Sequence, residues 1–388
     1  MNILVIAPHG MYNNYTGSFV HNQAKAYVQA GHKVRAVIPL AIGKRTNEGS
    51  RFSMPVKKVS VDGVEVCYVR HLSLGARGAK SFNARSSAWA CKFLMRSILK
   101  GFQPDVIHAH TVHFGGTVAA VFQKRCKVPL VITTHGGDTN LAIEPEGKAS
   151  AIALCNAADA VVAVSSTCLK KIDTLGLTTP TMRILNGFAA QNVQTQAKIP
   201  RRLIQVGTLS YQKRVELTVR AVALLKERYA DVSLVIVGQG DQREKLESLC
   251  AQLGLTQNVR FTGQCANATV LEEMARSEIF IMPSVNEGFG IVYIEAMASG
   301  CVTIGTQGEG IADLIRHGEN GYLVVPDSVD SIVETVAHCF ENAEEASRVA
   351  MQGREDANDL TWENNAAQYV RLFEGLLVEK KVQQGTDQ

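Results

Sequence analysis

The sequence predicts an α/β protein made of two Rossmann-like, doubly wound parallel-sheet domains facing each other across a cleft. Three observations carry this expectation. The chain has 388 residues, more than a single hydrophobic core usually serves. Its strand candidates are short, near-continuous apolar runs separated by helical stretches, which is the pattern of strands covered on both faces. That pattern also occurs twice, on either side of a polar stretch from Ala189 to Arg202 that is rich in Gln and basic residues and contains Pro200.

In the first half, Ile3 to Ala7 reads as a buried strand, Ser18 to Ala30 as a helix stopped by Gly31, and Val34 to Ile38 as the next strand. Val64 to Val69 follows, then a helix from Ser81 to Gly101, then strands at Asp105 to His110, Leu130 to Thr134 and Ala160 to Val164. The second series opens with Leu203 to Gly207 and a helix from about Glu216 to Arg228. Its further strands are Ser233 to Val237, Arg260 to Thr262, Ile279 to Met282, Thr303 to Ile304 and Tyr322 to Val324. A last helix, Trp362 to Leu377, sets Ala366, Tyr369, Leu372 and Phe373 on one side. The expected division is a first domain over 1–188, a linker over 189–202, a second domain over 203–360, a C-terminal helix over 361–380 and a disordered tail over 381–388.

Composition excludes several classes. With 46% hydrophobic and 20% charged residues, the chain has the make-up of a soluble globular protein. No apolar run approaches the ~18 residues needed to span a bilayer. Ile3 to Ala7 is too short for a signal-peptide core. Nine cysteines without C-x-x-C or metal-ligand spacing fit reduced thiols and a cytoplasmic setting. A net charge of +4 is mild and does not indicate nucleic acid. The distribution of charge says more. From Lys44 to Lys100 there are twelve Lys or Arg against three acids, Glu48, Asp62 and Glu65. In the helix from Ser81, Trp89, Phe93, Leu94 and Ile98 are expected to pack inward, with Arg85, Lys92, Arg96 and Lys100 opposite. Such a basic face is either merely solvated or rests peripherally on anionic lipid, where a lipid-linked acceptor would be met.

The chemistry concentrates in Glu287-Gly288-Phe289-Gly290-Ile291-Val292-Tyr293-Ile294-Glu295. By helical spacing, Glu295 should project from nearly the same face as the turn carrying Glu287. Gly288 and Gly290 let backbone approach a ligand, and the N–H groups of Gly290, Ile291 and Val292 stand free at a helix start, a seat for phosphate. Two carboxylates on a helix are common on solvated surfaces. The strand Ile279 to Met282 ahead of them adds the strand–turn–helix order of a ligand site. Open α/β sheets bind at the carboxyl ends of their strands, so the other loops there matter. They carry Gly17 after the first strand, His135 in Thr134-His135-Gly136-Gly137-Asp138, Lys213 and Arg214 in Gly207-Thr208-Leu209-Ser210-Tyr211-Gln212-Lys213-Arg214, and Gly263-Gln264 after Phe261-Thr262. Neither half holds a full G-x-G-x-x-G, so a dinucleotide site is not expected.

Together these segments resemble the retaining GT-B glycosyltransferases of family 4, glycosyl transferases group 1, whose signature is the E-x7-E in an EGFG-type turn. The resemblance implies the GT-B fold. It implies transfer of a sugar, of hexosyl type, from a nucleotide-sugar donor to a glycan or lipid-linked acceptor, in surface polysaccharide biosynthesis such as lipopolysaccharide or exopolysaccharide. It gives His135, Glu287 and Lys213 catalytic positions. Gly17, Arg214, Gly263, Gln264, Gly288, Phe289, Gly290, Ile291, Val292 and Glu295 fall to donor binding. Glu287 would hold sugar hydroxyls and Glu295 the ribose diol. No cofactor is implied beyond the nucleotide-sugar co-substrate, and no metal, since no D-x-D pair stands at a strand end. Two departures touch the diphosphate. Thr208 stands where the family usually has Arg, and Arg214 where it has Gly, so Arg214 would have to supply the missing charge. The alternatives are a GT-B-fold nucleotide-sugar epimerase and a nucleotide-binding protein with decayed catalysis.

Overall fold

The computed structural model describes residues 1–9, 12, 19–46, 51, 53–74, 80–190 and 196–386. The chain divides into two compact units, residues 1–187 with 362–388, and residues 188–361.

The first unit runs β1 (Asn2–Ile6), α1 (Phe19–Gln29), β2 (Lys33–Ala41), β3 (Val56–Val61), β4 (Val64–His71), α2 (Lys80–Leu99), β5 (Val106–His110), α3 (Gly116–Cys126), β6 (Leu130–Thr134), α4 (Gly136–Ile143), α5 (Pro145–Asn156), β7 (Ala160–Ala163), α6 (Ser166–Asp173) and β8 (Thr181–Arg183). The sheet order is β3-β4-β2-β1-β5-β6-β7-β8. Every neighbouring pair is parallel except β3 and β4, which form an antiparallel hairpin. Strand residues such as Ile6, Ile107, Ile132 and Val161 are fully buried and pack with Phe122 and Ile98 from the helices. That is why these strands read as continuous apolar runs rather than as alternating ones.

The second unit runs β9 (Ile199–Val206), α7 (Val215–Arg228), β10 (Ser233–Val237), α8 (Arg243–Gln252), β11 (Val259–Gly263), α9 (Asn267–Ala275), β12 (Ser277–Ile281), α10 (Ile291–Ala298), β13 (Val302–Thr306), β14 (Tyr322–Val324), α11 (Val329–Glu341) and α12 (Ala343–Asn358). Its order, β11-β10-β9-β12-β13-β14, is parallel throughout. Helix α7 shows how the sheet is covered: Val215, Thr218, Val219, Val222 and Leu225 recur at helical spacing and all are buried. The last helix, α13 (Trp362–Thr386), belongs to the first unit. There the Tyr369 hydroxyl lies 2.9 Å from Thr133 Oγ1, and Gln23 Nε2 donates to Asn365 Oδ1 at 2.6 Å.

Three expectations are corrected. Strand β9 begins at Ile199, so the end of the polar stretch is strand: Ile199 N donates to Arg276 O and adds the segment to the sheet. Residues 381–386 continue α13 instead of forming a tail, since adding residues to an established helix needs no new nucleus. Trp89 and Phe93 do not pack inward. Ala84, Ala88, Cys91 and Ile98 make the buried face of α2, while Trp89 and Phe93 are 64% and 66% exposed. Among the described residues no helix is long and apolar enough to cross a membrane.

Candidate functional site

In the second unit the strand order reverses between β9 and β12, the crevice where open α/β sheets take ligands. The loops leaving those two strands are tied together. Val285 N donates to Gln212 O at 3.0 Å, and Gln212 Nε2 donates to Asn286 O at 2.8 Å. Across this seam the Lys213 ammonium and the Glu287 carboxylate form an ion pair, both side chains largely shielded from solvent. Lys213 is itself placed by Gln205, whose Nε2 donates to the Lys213 carbonyl at 2.8 Å.

The turn carrying Glu287 is held from the next strand end. The Glu309 carboxylate, in the loop after β13, accepts the N–H groups of Asn286 at 2.9 Å and Glu287 at 2.8 Å. Gly310 lies so close to the turn that a Cβ there would be 2.0 Å from the Gly288 carbonyl oxygen. Gly290 caps α10 with φ +79°, a left-handed conformation that glycine adopts without strain. Phe289 is buried, so its ring anchors the turn and only its backbone can meet a ligand. Beneath, the Tyr293 hydroxyl donates to the Met282 carbonyl at 2.5 Å. Tyr293 N donates to Gly290 O at 3.0 Å, and the amides before it in the helix start have no earlier turn to bond to. Those are the N–H groups of Gly290, Ile291 and Val292.

Glu295 is half-buried in the middle of α10 and accepts Asn267 Nδ2 at 3.2 Å. Burial pushes its carboxyl above the usual range, and the bond from Asn267 opposes that shift. Glu287 therefore stands ahead of the helix and Glu295 within it, each with its own partner. Residues 287–290 form a turn, the helix starts at Ile291, and each carboxylate takes a partner from a different strand end.

Arg214 has partners of its own. Its guanidinium pairs with Asp327 at 2.7 Å and lies 3.8 Å over the Tyr211 ring, so its charge is taken up there rather than joined to Lys213. Its backbone is left-handed, φ 49°, which accounts for glycine being usual at this place in the resembled family. Thr208 is exposed and brings no cation. Gly263 ends β11, with its carbonyl accepting Gly238 N at 2.9 Å, and Gln264 beside it is exposed.

In the first unit the order reverses between β1 and β5. Gly17, in the loop after β1, lies outside the described residues. His110 ends β5 and His135 follows β6. Their rings stack at 5.4 Å and 17°, with His110 Nδ1 3.2 Å from His135 Nε2. Phe19 packs on His135 at 4.9 Å. His108 lies 2.8 Å from Thr133 Oγ1 and 3.2 Å from the Tyr27 hydroxyl. Burial pushes His135 and His108 down to about 3, and burial with the neighbouring rings holds His110 well below its ordinary value. The three imidazoles are thus neutral near pH 7. Asp138 orients the loops: its carboxylate accepts His135 N at 2.6 Å, Val112 N at 3.0 Å and the Thr134 hydroxyl at 3.0 Å. Burial nonetheless raises it to about 6. Thr111 follows β5 at φ +75°, strained for a β-branched residue, and accepts Gly115 N at 3.0 Å.

Reading the sequence did not single out Glu309 or Asn267 as parts of the site. Gly308-Glu309-Gly310 at a strand's carboxyl end was the available signal for the first. For Asn267, which opens α9 and reaches Glu295 from 28 positions away, there was none. Among the described residues no group of three or more His, Cys, Asp or Glu is placed to hold a metal ion.

Comparison with known proteins agrees with this architecture. The family described as Glycosyltransferase Family 4 matches residues 16–191, and that described as Glycosyl transferases group 1 matches residues 189–356. An uncharacterized glycosyltransferase of Methanocaldococcus jannaschii is 30% identical over 300 residues, 69% of this chain and 75% of that protein. Glycogen synthase of Mycobacterium tuberculosis is 26% identical over 289 residues, 71% of this chain and 69% of that protein. Among solved structures, sucrose-phosphate synthase from Thermosynechococcus elongatus has a TM-score of 0.79 at 19% identity, covering 98% of this chain and 100% of that one. The Anabaena protein HepE, solved in complex with UDP-glucose, has a TM-score of 0.74 at 20% identity, covering 97% and 100%. The two strand-end crevices, the E-x7-E turn and these matches lead to one conclusion: the chain belongs to the GT4-type glycosyltransferases and has the GT-B fold.

Proposed function

We propose that this glycosyltransferase transfers a hexosyl group, with retention of anomeric configuration, from a nucleotide-sugar to a glycan or lipid-linked acceptor in surface polysaccharide biosynthesis. The observation that carries the donor side is the Lys213–Glu287 pair at the sheet reversal, beside the amides that open α10. When the bond from the anomeric carbon to the diphosphate breaks, the electron pair leaves with the phosphate oxygen, and negative charge grows there. Lys213 and the amides of Gly290, Ile291 and Val292 are donors suited to that charge, without a metal in the step. Glu287 would then exchange its partner, releasing Lys213 to the diphosphate and accepting sugar hydroxyls. Glu295 would accept the ribose diol, with Asn267 steadying its carboxylate. His135, neutral near pH 7, would meet the donor sugar as a hydrogen-bonding ring rather than as a cation. HepE, solved with UDP-glucose, supports a nucleotide-sugar as donor. We place the work at the cytoplasmic side of a membrane, where lipid-linked acceptors are carried.

The test is a thermal-shift panel of UDP-, GDP- and ADP-sugars followed by turnover of whichever stabilises the chain. At least one should bind and be consumed, and Glu287→Ala should abolish consumption. Failure of every donor, or a Glu287→Ala variant as active as the parent, sinks the reading. One observation favours binding without transfer: Thr208 brings no cation and Arg214 is held by Asp327. A nucleoside diphosphate that binds while no nucleotide-sugar is ever consumed would establish that alternative. Free sugar or an isomerised nucleotide-sugar formed without an acceptor would point to the epimerase.

A further inference from the structure

On α2, Trp89 and Phe93 stand one helical turn apart with their ring centroids 4.4 Å apart and turned to solvent. A single exposed apolar side chain needs no explanation, but a paired Trp and Phe on one helix is an apolar knob. The small residues Ala84, Ala88 and Cys91 take the inward face, letting the helix lie close to the sheet and leaving its large aromatics outside. The surroundings are of one sign. Arg85, Lys92 and Arg96 lie within one helical turn of the knob and are exposed, and α2 contains no Asp or Glu. Lys124 and Arg125, at the end of α3, line the same groove as Lys92, Phe93 and Arg96. Among the described residues none of these five cations makes an ion pair, whereas Arg35 and Lys58 in the same unit both pair with Glu65.

We infer that this α2–α3 face docks on an anionic lipid surface, with Trp89 and Phe93 entering the headgroup boundary and the cations bonding lipid phosphates. Both halves of that chemistry are present: aromatic rings favour the interfacial layer, and clustered Lys and Arg without acids favour anionic lipid. The face lies wholly within the first unit, and the inference holds whether or not the proposed transfer is the reaction.

The test is co-sedimentation of the full chain with vesicles of phosphatidylcholine, and with vesicles in which a third is replaced by phosphatidylglycerol. Binding should require the anionic lipid and weaken with salt. Tryptophan fluorescence reports the face directly. The chain has two tryptophans, and Trp362 is 5% exposed against 64% for Trp89. A blue shift on anionic vesicles, lost in Trp89→Phe, is therefore expected. Trp89→Ser with Phe93→Ser, and separately Lys92→Gln with Arg96→Gln, should each weaken vesicle binding by roughly tenfold or more. Any nucleotide-sugar thermal shift of the parent should be unchanged in these exposed-site variants, which separates loss of docking from loss of fold or of donor binding. Equal binding to both vesicle types, an unshifted emission, or paired variants that bind as the parent would overturn the inference. So would a dimer in sedimentation velocity that Trp89→Ser with Phe93→Ser converts to monomer, since a second copy would then be the occupant.

Discussion

Lys213 and Glu287 neutralise each other at the second sheet's reversal, so the cation that a diphosphate would use is held in place by the carboxylate that a sugar would use. Lys213→Met keeps the length and removes the charge, leaving Glu287 unpaired in a shielded position. We expect kcat/KM for the donor to fall by about a hundredfold or more, the scale of losing one charge-stabilising donor. An unchanged value would mean that the charge is met elsewhere. Glu309 is a positioning residue for the same turn, since one carboxylate serves two adjacent amides. Glu309→Gln keeps the shape but has one acceptor oxygen, leaving one amide poorly served. It should cost about 1–2 kcal/mol in chemical unfolding and raise the donor KM, and a variant altered in neither would refute the role. In the first unit, Asp138→Ala strips the partner from Val112 N and His135 N together, and about 2–3 kcal/mol of stability should go with it. Asp138→Asn, retaining one acceptor, should lose less. At this scale the sequence made Glu287, Lys213 and His135 legible because each stands in a loop at a strand's carboxyl end, and Glu295 through its spacing from Glu287 in the E-x7-E motif. Glu309 and Asn267 were not picked out, since their roles exist only through contacts 22 and 28 positions away.

Helices and strands show a different division. The buried parallel strands were readable as apolar runs, and α7 as a helical stripe. The β3–β4 hairpin passed unread in its first strand, where Lys57, Lys58 and Ser60 leave little apolar character on an edge with one neighbour. Asp62-Gly63, with φ of 50° and 80°, was the signal for it, a turn pair suited to closing a hairpin. For α2 the pattern was visible but its orientation was not. Its largest apolar residues face solvent because the space beneath fits Ala and Cys. The E-x7-E element depends on close backbone approach, and Gly310 is where that can be tested. Gly310→Ala would place a Cβ 2.0 Å from the Gly288 carbonyl oxygen and force the turn away. A lower melting temperature together with a severalfold higher donor KM is expected, and a variant matching the parent in both would show that the turn tolerates displacement.

For the whole molecule, the buried histidines set the acid side of stability. His108, His110 and His135 have folded values far below 6.5, so each takes up a proton on unfolding once the pH falls below that value. Stability should be full above about pH 6.5 and fall by up to about 1.4 kcal/mol per pH unit for each histidine on acidification. Asp138, raised to about 6, works in the opposite direction between its unfolded 3.8 and that value and offsets one of the three. Denaturant midpoints at pH 7.5 and 5.5 should differ accordingly, and a flat profile would contradict neutral burial of the cluster. By itself, the sequence determined the two α/β series, the family and the strand-end positions of its main site residues, because apolar periodicity and short motifs are local properties of the chain. Only the tertiary structure decided that Lys213 pairs with Glu287, that Arg214 turns to Asp327, that Glu309 holds the signature turn and that Trp89 and Phe93 face outward. Each of those is a choice among partners brought together by sheet order and helix packing, and no local pattern encodes which neighbour will be there.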